Sequence, residues 1–381
     1  MTDSNVPIRV ITSGPKHHWF GYYDKFEFDA TDRFVLGMEV DFENRTPEPT
    51  DEIRLGVIDT EDGDKWTELA TTTAWCWQQG CMLQWRPGHD DEIVWNDRDG
   101  DHYVSHVMNI KTGAKRTLPM PIYSISPDGK TAVVPDYPRI TREGYCYIGI
   151  EDPRKDVLTP DDSGIWRMDM DTGEHELIVT FAQTYAIPCP YHDKVAGHWF
   201  NHLLWNTDGS RFCFLDRDGY FFTRLFAASP DGSDLRPVEE YGGASHFIWK
   251  DPEHILCWSY HHPTKKEGFY LYHDGDGPDA LIGEGKMVEN GHCTYLPDTD
   301  WVLNDTYCGG EDRGQELFLY HVPTDRRVDL GRFPSPEGYD GEWRCDLHPR
   351  PSRDGKKVLF DSAHGGAGRQ LWLVDISEVV G

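Results

Sequence analysis

The chain has 381 residues, with 37 basic and 66 acidic side chains and a formal net charge of −29. This charge argues against general affinity for nucleic acid or for an anionic membrane, because both would be repelled by an acidic surface. No stretch approaches the roughly 20 apolar residues that span a bilayer, and the N-terminus lacks the pattern of a secretory signal. We therefore expect a cytoplasmic protein with no nucleic-acid or membrane partner, as a monomer or a homodimer.

The composition favours short strands joined by tight turns. Aromatic residues make up 13% of the chain, and it contains 37 Gly and 25 Pro. These residue types are typical of strands and turns rather than of long helices. The nine Cys residues include no C-x-x-C pair, so they predict no disulfide framework.

Seven repeats are visible along the chain. Each begins with a turn around an Asp, leads into a β-rich run, and continues with a second apolar strand that ends in a polar turn. The seven anchors are Asp32, Asp91, Asp128, Asp208, Asp251, Asp298 and Asp354. Repeats of about 40 to 50 residues built in this way are typical of the four-stranded blades of a propeller. The sequence therefore predicts an all-β, seven-bladed β-propeller, with residues 1–381 in a single domain.

The two ends of the chain look complementary. The last repeat stops at LWLVDISEVVG without a fourth strand, whereas VPIRVITSG near the N-terminus is strand-like. We expect residues 7–12 to complete the seventh blade and so remove an exposed sheet edge. The long interval between Asp128 and Asp208 predicts two inserted loops over one face, at about residues 138–165 and 183–197.

Four histidines fall near one register on the strands expected to line the central channel. His202, His292 and His348 each lie six positions before an anchor, and His246 lies five before. A single such residue is more often a hydrogen-bonded core histidine, but four from separate blades favour a transition-metal site or acid–base chemistry. Asp346, Asp305 and Cys345 are near enough in the sequence to complete a coordination shell.

Two further regions carry polar groups that need partners. The loop around PDYPRITREGYCYIGIEDPRK contains Arg139, Arg142 and Tyr145, which form either a solvated surface loop or a carboxylate clamp with a proton-transferring phenol. His18, in HHWFGYYDK, and Gln79, in AWCWQQGCMLQW, are placed among aromatic side chains that either contact a sugar or wedge blades together. A buried amide must have a partner, which keeps a binding role open for Gln79.

At these residues the chain resembles the oligogalacturonate lyase-like family of seven-bladed propeller polysaccharide lyases, with TolB-like propellers as more distant relatives. The motifs that carry the resemblance are FNHLLWNTDGSRFCFLDR, ASHFIWKD, GHCTYLPD and CDLHPRPSRDGKKVLFDS, all in the last four blades. In that family a Gln and three His bind manganese. The resemblance implies that His292 and His348 are ligands, while Cys345 and Arg350 replace the Gln and the third His.

The resemblance also implies an activity. Such lyases cleave a 4-linked uronate by β-elimination, in which a cation neutralises the carboxylate and a base removes the proton at C5. It suggests Arg224 as the base, with His202, Tyr145 and His18 as further catalytic candidates. Arg139, Arg142, Gln79, His246 and Arg350 would bind substrate, and His292, His348, Asp346 and Cys345 would hold a divalent metal, whether manganese, calcium or zinc.

The acidic surface makes a small acidic oligosaccharide a better substrate than a long polyanion. The alternative is a non-catalytic TolB-like propeller that binds glycans or proteins, because one fold hosts many functions.

Overall fold

The computed structural model describes residues 6–189, 197–219 and 222–381. Its strands form seven four-stranded antiparallel sheets, which are the blades of the predicted propeller. Blade 1 comprises β2 His17–Trp19, β3 Phe34–Val40, β4 Ile53–Asp59 and β5 Lys65–Thr72, and blade 2 comprises β6 Gln84–Trp85, β7 Glu92–Asp99, β8 His102–Asn109 and β9 Lys115–Leu118. Blade 3 comprises β10 Ser124–Ile125, β11 Thr131–Pro135, β12 Gly164–Asp169 and β13 His175–Thr180. Blade 4 comprises β14 His198–Trp205, β15 Phe212–Asp218, β16 Phe222–Ala228 and β17 Arg236–Glu239.

The remaining blades complete the ring. Blade 5 comprises β18 Phe247–Trp249, β19 His254–His261, β20 Lys266–His273 and β21 Gly277–Ile282. Blade 6 comprises β22 Thr294–Tyr295, β23 Trp301–Asp305, β24 Gly314–His321 and β25 Arg326–Pro334. Blade 7 comprises β26 Arg350–Pro351, β27 Lys357–Ser362, β28 Gln370–Asp375 and β1 Ile8–Val10. The predicted all-β, seven-bladed fold is therefore confirmed.

The N-terminal strand closes the ring as the sequence predicts. β1 pairs antiparallel with β28, with Arg9 opposite Leu373. It is the outermost strand of blade 7. The first and last segments of the chain are thus held together by backbone hydrogen bonds, and the outer edge of blade 7 is only three residues long.

The central residues of the second strand of each blade are buried on both faces. In β15 and in β27 almost every residue is buried, because adjacent blades pack against both sides of the sheet. These strands consequently read as nearly continuous apolar runs, without the alternation of a half-exposed strand. Most of the core lies between the blades, although it also includes Tyr22 and Tyr23, which lie between β2 and β3.

The helices in the described part of the chain are short, and one of them follows the last strand. They are α1 Phe181–Ala186 and α2 Ser377–Val380, with 3-10 turns at Tyr137–Arg139, Val322–Thr324 and Gly341–Trp343. Within the described ranges, no helix is long and apolar enough to cross a bilayer.

The two predicted insertions fall in blade 3 and between blades 3 and 4. Residues 138–165 connect β11 with β12 and end on the first two residues of β12. Of residues 183–197, the first part includes the end of α1, whereas residues 190–196 lie outside the described residues.

The central channel is crossed by residues 21–25, which we call the axial plug. They lie between β2 and β3, and Tyr22 and Tyr23 are each only 2% exposed. The hydroxyl of Tyr23 donates to the carbonyl of Phe247 at 2.9 Å and accepts from its amide at 3.1 Å. The Lys25 ammonium lies 4.7 Å from the ring centre of Tyr123. The plug therefore contacts blades on the far side of the ring and separates an upper funnel from a lower cavity.

Candidate functional site

The four histidines meet above the axial plug, and we call them the histidine level. The ring centres of His246 and His292 are 4.2 Å apart, and those of His292 and His348 are also 4.2 Å apart. The ring of Tyr22 packs against His202 at 4.8 Å and against His348 at 5.4 Å. The plug thus forms the floor on which residues from blades 4 to 7 converge.

His292 and His348 present unused nitrogens to the same space. Asp305 holds both residues: its carboxylate accepts from Nδ1 of His292 at 3.0 Å and from the backbone amide of His348 at 3.2 Å. The Nε2 atom of each ring is buried and has no hydrogen-bond partner among the described residues. His348 has a φ of 42°, a conformation that costs energy for a residue other than Gly. Such strain is common at ligand sites, where the surroundings enforce it.

Asp346 completes a group that suits a divalent cation. Its carboxylate and the imidazoles of His292 and His348 offer three donor atoms that all lie within 4.8 Å of one another. Two imidazoles and a carboxylate are a donor set used by several first-row transition metals. The orphaned Nε2 atoms therefore fit a bound metal, with Asp305 behind His292 as the carboxylate that fixes its orientation.

His246 is held with one nitrogen available as a hydrogen-bond acceptor. Asn290 donates from Nδ2 to Ser245 Oγ at 3.0 Å, so its Oδ1 accepts from Nδ1 of His246 at 2.9 Å. Nε2 therefore carries the lone pair, which accepts a long contact of 3.3 Å from the hydroxyl of Tyr307. Burial, and then the neighbouring His292, hold the pKa of His246 well below its usual value, so the ring is neutral.

His202 is more deeply enclosed. It has no exposed surface, its ring stacks on Phe247 with centres 4.0 Å apart, and its Nε2 lies 3.5 Å from Asp24 Oδ2. Burial lowers the pKa of His202 to about 4. It joins the histidine level to the axial plug and lies beneath the funnel surface.

Phenols and a paired arginine form one wall of the funnel. Arg344 donates from Nε to Asp346 at 2.7 Å and from Nη2 to the hydroxyl of Tyr145 at 3.0 Å. Its guanidinium lies 5.8 Å from the ring centres of both Tyr145 and Tyr307. Because the Tyr145 oxygen already accepts from Arg344, its own proton is free to be donated elsewhere.

Two other arginines in the funnel have no carboxylate partner among the residues that the structure describes. Arg142 lies 5.0 Å from the ring centre of Tyr145 and makes no ion pair with any described residue. Within the described ranges, Arg217 donates to neutral oxygens, of Asn201 at 2.9 Å and of Thr223 at 3.2 Å. Burial and the nearby charge of Arg142 lower the pKa of Arg217. Two neighbouring cations without counter-charge, in a protein of net charge −29, mark a place where an anion binds favourably.

Arg139, predicted to bind substrate, instead fixes the loop that follows β11. Its five donors reach the carbonyls of His198, Arg154, Val157 and Leu158 and the carboxylate of Asp152. Only 5% of Arg139 is exposed. Its hydrogen-bonding capacity is used within the protein, and none is left for a ligand.

Arg224 and Arg350 are likewise committed to buried networks. Arg224, the base that the family resemblance suggests, donates to Asp216 at 3.1 Å and to two carbonyl oxygens at the end of α1. Arg350 donates to Glu27 at 2.7 Å and to Asp361 at 2.8 Å. Burial raises the pKa of Glu27 to about 7, although Arg350 opposes that rise.

The other predicted residues are not part of the donor group around His292. Cys345 packs with Tyr339 and Ala363 and is not part of the donor group around His292. His18 lies between blades 1 and 7, where it contacts Gln370 at 3.1 Å and Glu39 at 3.2 Å.

The two glutamines differ in their partners. Gln79 donates to the hydroxyl of Tyr123 at 2.8 Å inside the core. Its neighbour Gln78 supports the funnel wall, because its Nε2 donates to the carbonyls of Glu342 and Arg344 at 2.9 and 3.0 Å.

Sequence reasoning missed Arg217, Arg344, Tyr307 and Asn290. None occupies the register from which the histidines were found. Arg217 lies in β15, whereas Asn290, Tyr307 and Arg344 lie in loops between strands. The Arg- and Tyr-rich loop singled out in the sequence contains none of these four residues, so no local pattern indicated them.

Comparison with solved structures gives the fold independent support. An oligogalacturonate lyase from Vibrio parahaemolyticus matches with a TM-score of 0.71 and 14% identity, over 100% of this chain and 97% of that one. An oligogalacturonate lyase in complex with manganese matches with a TM-score of 0.67 and 15% identity, over 100% and 96%. The chains share a fold. TolB from Acinetobacter baumannii matches with a TM-score of 0.41 and 12% identity, over 78% of this chain and 63% of that one. No family model matches the sequence, and a search of curated proteins found no match.

Proposed function

We propose that the protein is a lyase that cleaves a 4-linked uronate in a short oligosaccharide by β-elimination. The observation that carries this proposal is the funnel itself: a neutral imidazole, two arginines without counter-charge and a metal-type donor group face one space. The shared fold with oligogalacturonate lyases, one of them in complex with manganese, supports it.

His246 is the proposed base. Its Nε2 carries a lone pair that Asn290 fixes from the other side of the ring, and its present partner is a long contact from Tyr307. An arginine cannot take this role easily, because a guanidinium keeps its proton at any ordinary pH. Arg224 moreover has its donors in ion-pair and carbonyl contacts.

Arg142 and Arg217 are the proposed binding groups for the uronate carboxylate. Removal of the C5 proton places charge on that carboxylate, and fixed cations stabilise it without reorganisation. Both guanidinium groups lie within electrostatic range of each other, so one anion between them relieves their repulsion.

His292, His348 and Asp346 are the proposed metal ligands. A divalent cation held there would add positive charge that stabilises the developing enolate. This proposed donor set differs from a site of one Gln and three His. Cys345 packs against Tyr339 and Ala363, and Arg350 donates to Glu27, so neither residue is among the proposed ligands.

Tyr145 is the proposed acid. In the elimination the C5–H bond breaks, its proton passes to His246 Nε2, and its electron pair forms the C4–C5 double bond. The C4–O4 bond breaks with its electrons on oxygen, which takes the phenolic proton of Tyr145. Arg344, which donates to the Tyr145 oxygen at 3.0 Å, stabilises the resulting phenolate.

The test is ultraviolet absorbance of an unsaturated uronate during incubation with short uronate oligosaccharides and divalent metals. We expect absorbance to rise for the wild-type protein, to rise at least a hundredfold more slowly for His246→Ala, and to be little changed for His106→Ala, a histidine of β8 remote from the funnel. Absence of any rise with every uronate and metal tested would overturn the proposal.

A further inference from the structure

A side pocket opens beside the histidine level between blades 6 and 7. Its volume is about 220 Å³, and it shares Tyr307, Arg344 and Asp346 with the funnel. A substrate whose uronate lies at the histidine level would therefore place its neighbouring sugar there. The charges and hydrogen-bonding groups of the pocket determine which kind of sugar can bind there.

Charges in the side pocket are balanced, unlike those at Arg142 and Arg217. Arg344 is paired with Asp346 at 2.7 Å, and Arg313 is paired with Asp340 at 2.8 Å. A second carboxylate would find neither arginine without a counter-charge, and Asp340 would repel it; Asp346 would repel it less when it holds the proposed cation. The pocket thus disfavours an anionic sugar.

Gln315 supplies a neutral donor and acceptor at this pocket. It belongs to β24, is 2% exposed, and lines the pocket. Its amide makes no hydrogen bond to any described residue. A buried amide normally has partners, and one that faces a pocket without them is suited to bind ligand hydroxyl groups.

We infer that the side pocket binds a neutral, hydroxyl-bearing sugar next to the cleaved uronate, so that the substrate pairs a uronate with a neutral hexose rather than with a second uronate. This inference rests on the proposed function and narrows it. Different residues then recognise the two sugars: Arg142 and Arg217 bind the carboxylate of the uronate, and Gln315 binds hydroxyl groups of the neutral sugar.

Two matched pairs of oligosaccharides test the inference. Within each pair the cleaved uronate is the same, and its neighbour is either a hexose or the corresponding hexuronate; the neighbour is attached at O4 in one pair and at the reducing side in the other. Binding is measured by calorimetry on His246→Asn, so that it does not depend on cleavage. We expect the hexose form to bind at least tenfold more tightly in one pair.

Variants of Gln315 assign the preference to the pocket. Gln315→Leu keeps the size of the side chain and is expected to abolish the preference, whereas Gln84→Leu makes the same change at a buried glutamine in blade 2, beside the lower cavity, and is expected to retain it. If Gln315→Leu fails to fold, Gln315→Glu serves instead, and it is expected to weaken hexuronate binding by a further tenfold.

Equal or tighter binding of the hexuronate in both pairs would overturn the inference. A hexose preference that is unchanged in Gln315→Leu would also overturn it, and so would tighter binding of the hexuronate by Gln315→Glu than by the wild-type residue. A hexose preference that depends on Gln315, without any absorbance rise in the wild-type protein, would leave the inference standing and remove the lyase activity alone.

Discussion

Asp305 holds His292 at two points: its Oδ1 accepts from the backbone amide of His292 at 2.6 Å, and both carboxylate oxygens lie 3.0 Å from Nδ1 of the ring. The same carboxylate accepts from the amide of His348. One side chain therefore sets the orientation of one proposed metal ligand and the backbone of the other, across the boundary between blades 6 and 7.

Replacing Asp305 by Asn should weaken metal binding. The amide keeps the shape of the carboxylate but not its charge, and changes of this kind behind a metal ligand typically cost 10- to 100-fold in affinity. Titration calorimetry with Mn²⁺ measures the change. Asp300→Asn, at an exposed carboxylate in the turn before β23, is the control and should bind as the wild type does. Equal affinity in Asp305→Asn and wild type would contradict the proposed metal site.

Replacing Arg217 by Gln should impair recognition of the carboxylate. Loss of a charged hydrogen bond costs about 1.5 to 3 kcal/mol, which corresponds to roughly a 10- to 100-fold lower kcat/KM. The loss should disappear when the uronate is a methyl ester, because the ester has no charge to bind. Arg326→Gln on the outer strand of blade 6 should have no effect. Equal losses for acid and ester would show that Arg217 acts only through structure.

His202 should make the protein sensitive to acid. Its pKa is about 4 in the folded state, because of burial, against 6.5 when free. Between these values the unfolded chain binds a proton that the folded chain does not, so stability is complete above about pH 6.5 and falls as the pH decreases towards 4. Asp24, Lys25 and Arg217 act on the ring, and Asp24 stays charged in this window because its pKa is about 2.

The variant that tests this titration is His202→Asn, since Asn tolerates the left-handed φ of 50° found there. Urea unfolding should show that wild-type stability falls by up to about 3 kcal/mol more than that of the variant between about pH 7 and pH 4. Parallel pH profiles would mean that His202 does not titrate in this way.

Replacing Arg139 by Met should destabilise the protein without a selective effect on substrate binding. The change leaves Asp152 and four carbonyl oxygens without their donor, and breaking a buried pair costs about 3 to 5 kcal/mol. Thermal unfolding measures the loss, and Arg154→Gln, at an exposed ion pair, should cost less than about 1 kcal/mol. A raised KM at unchanged Tm would instead restore Arg139 as a substrate-binding residue.

Features that repeat along the chain could be predicted from the sequence, whereas contacts between residues that are distant in the sequence could not. The strand order, the closure by β1 and the common height of the histidines follow from the repeated turn at each Asp anchor. The contact of Arg350 with Glu27 joins residues 323 positions apart, and no local pattern indicates it. Arg217 lies in β15, where a charged residue within an otherwise buried run gives no indication of which space it faces.

The axial plug closes the axis of the propeller beneath the histidine level. Tyr22 and Tyr23 fill the axis beneath the histidine level, and the cavity below them is bounded by Tyr23, Asp24 and Lys25. In the proposed reaction, neither fragment of the cleaved oligosaccharide can leave along the axis through the plug, so both would be released on the side from which the substrate enters. A fragment that dissociates slowly would block the next substrate, and product release is the rate-limiting step in many enzymes.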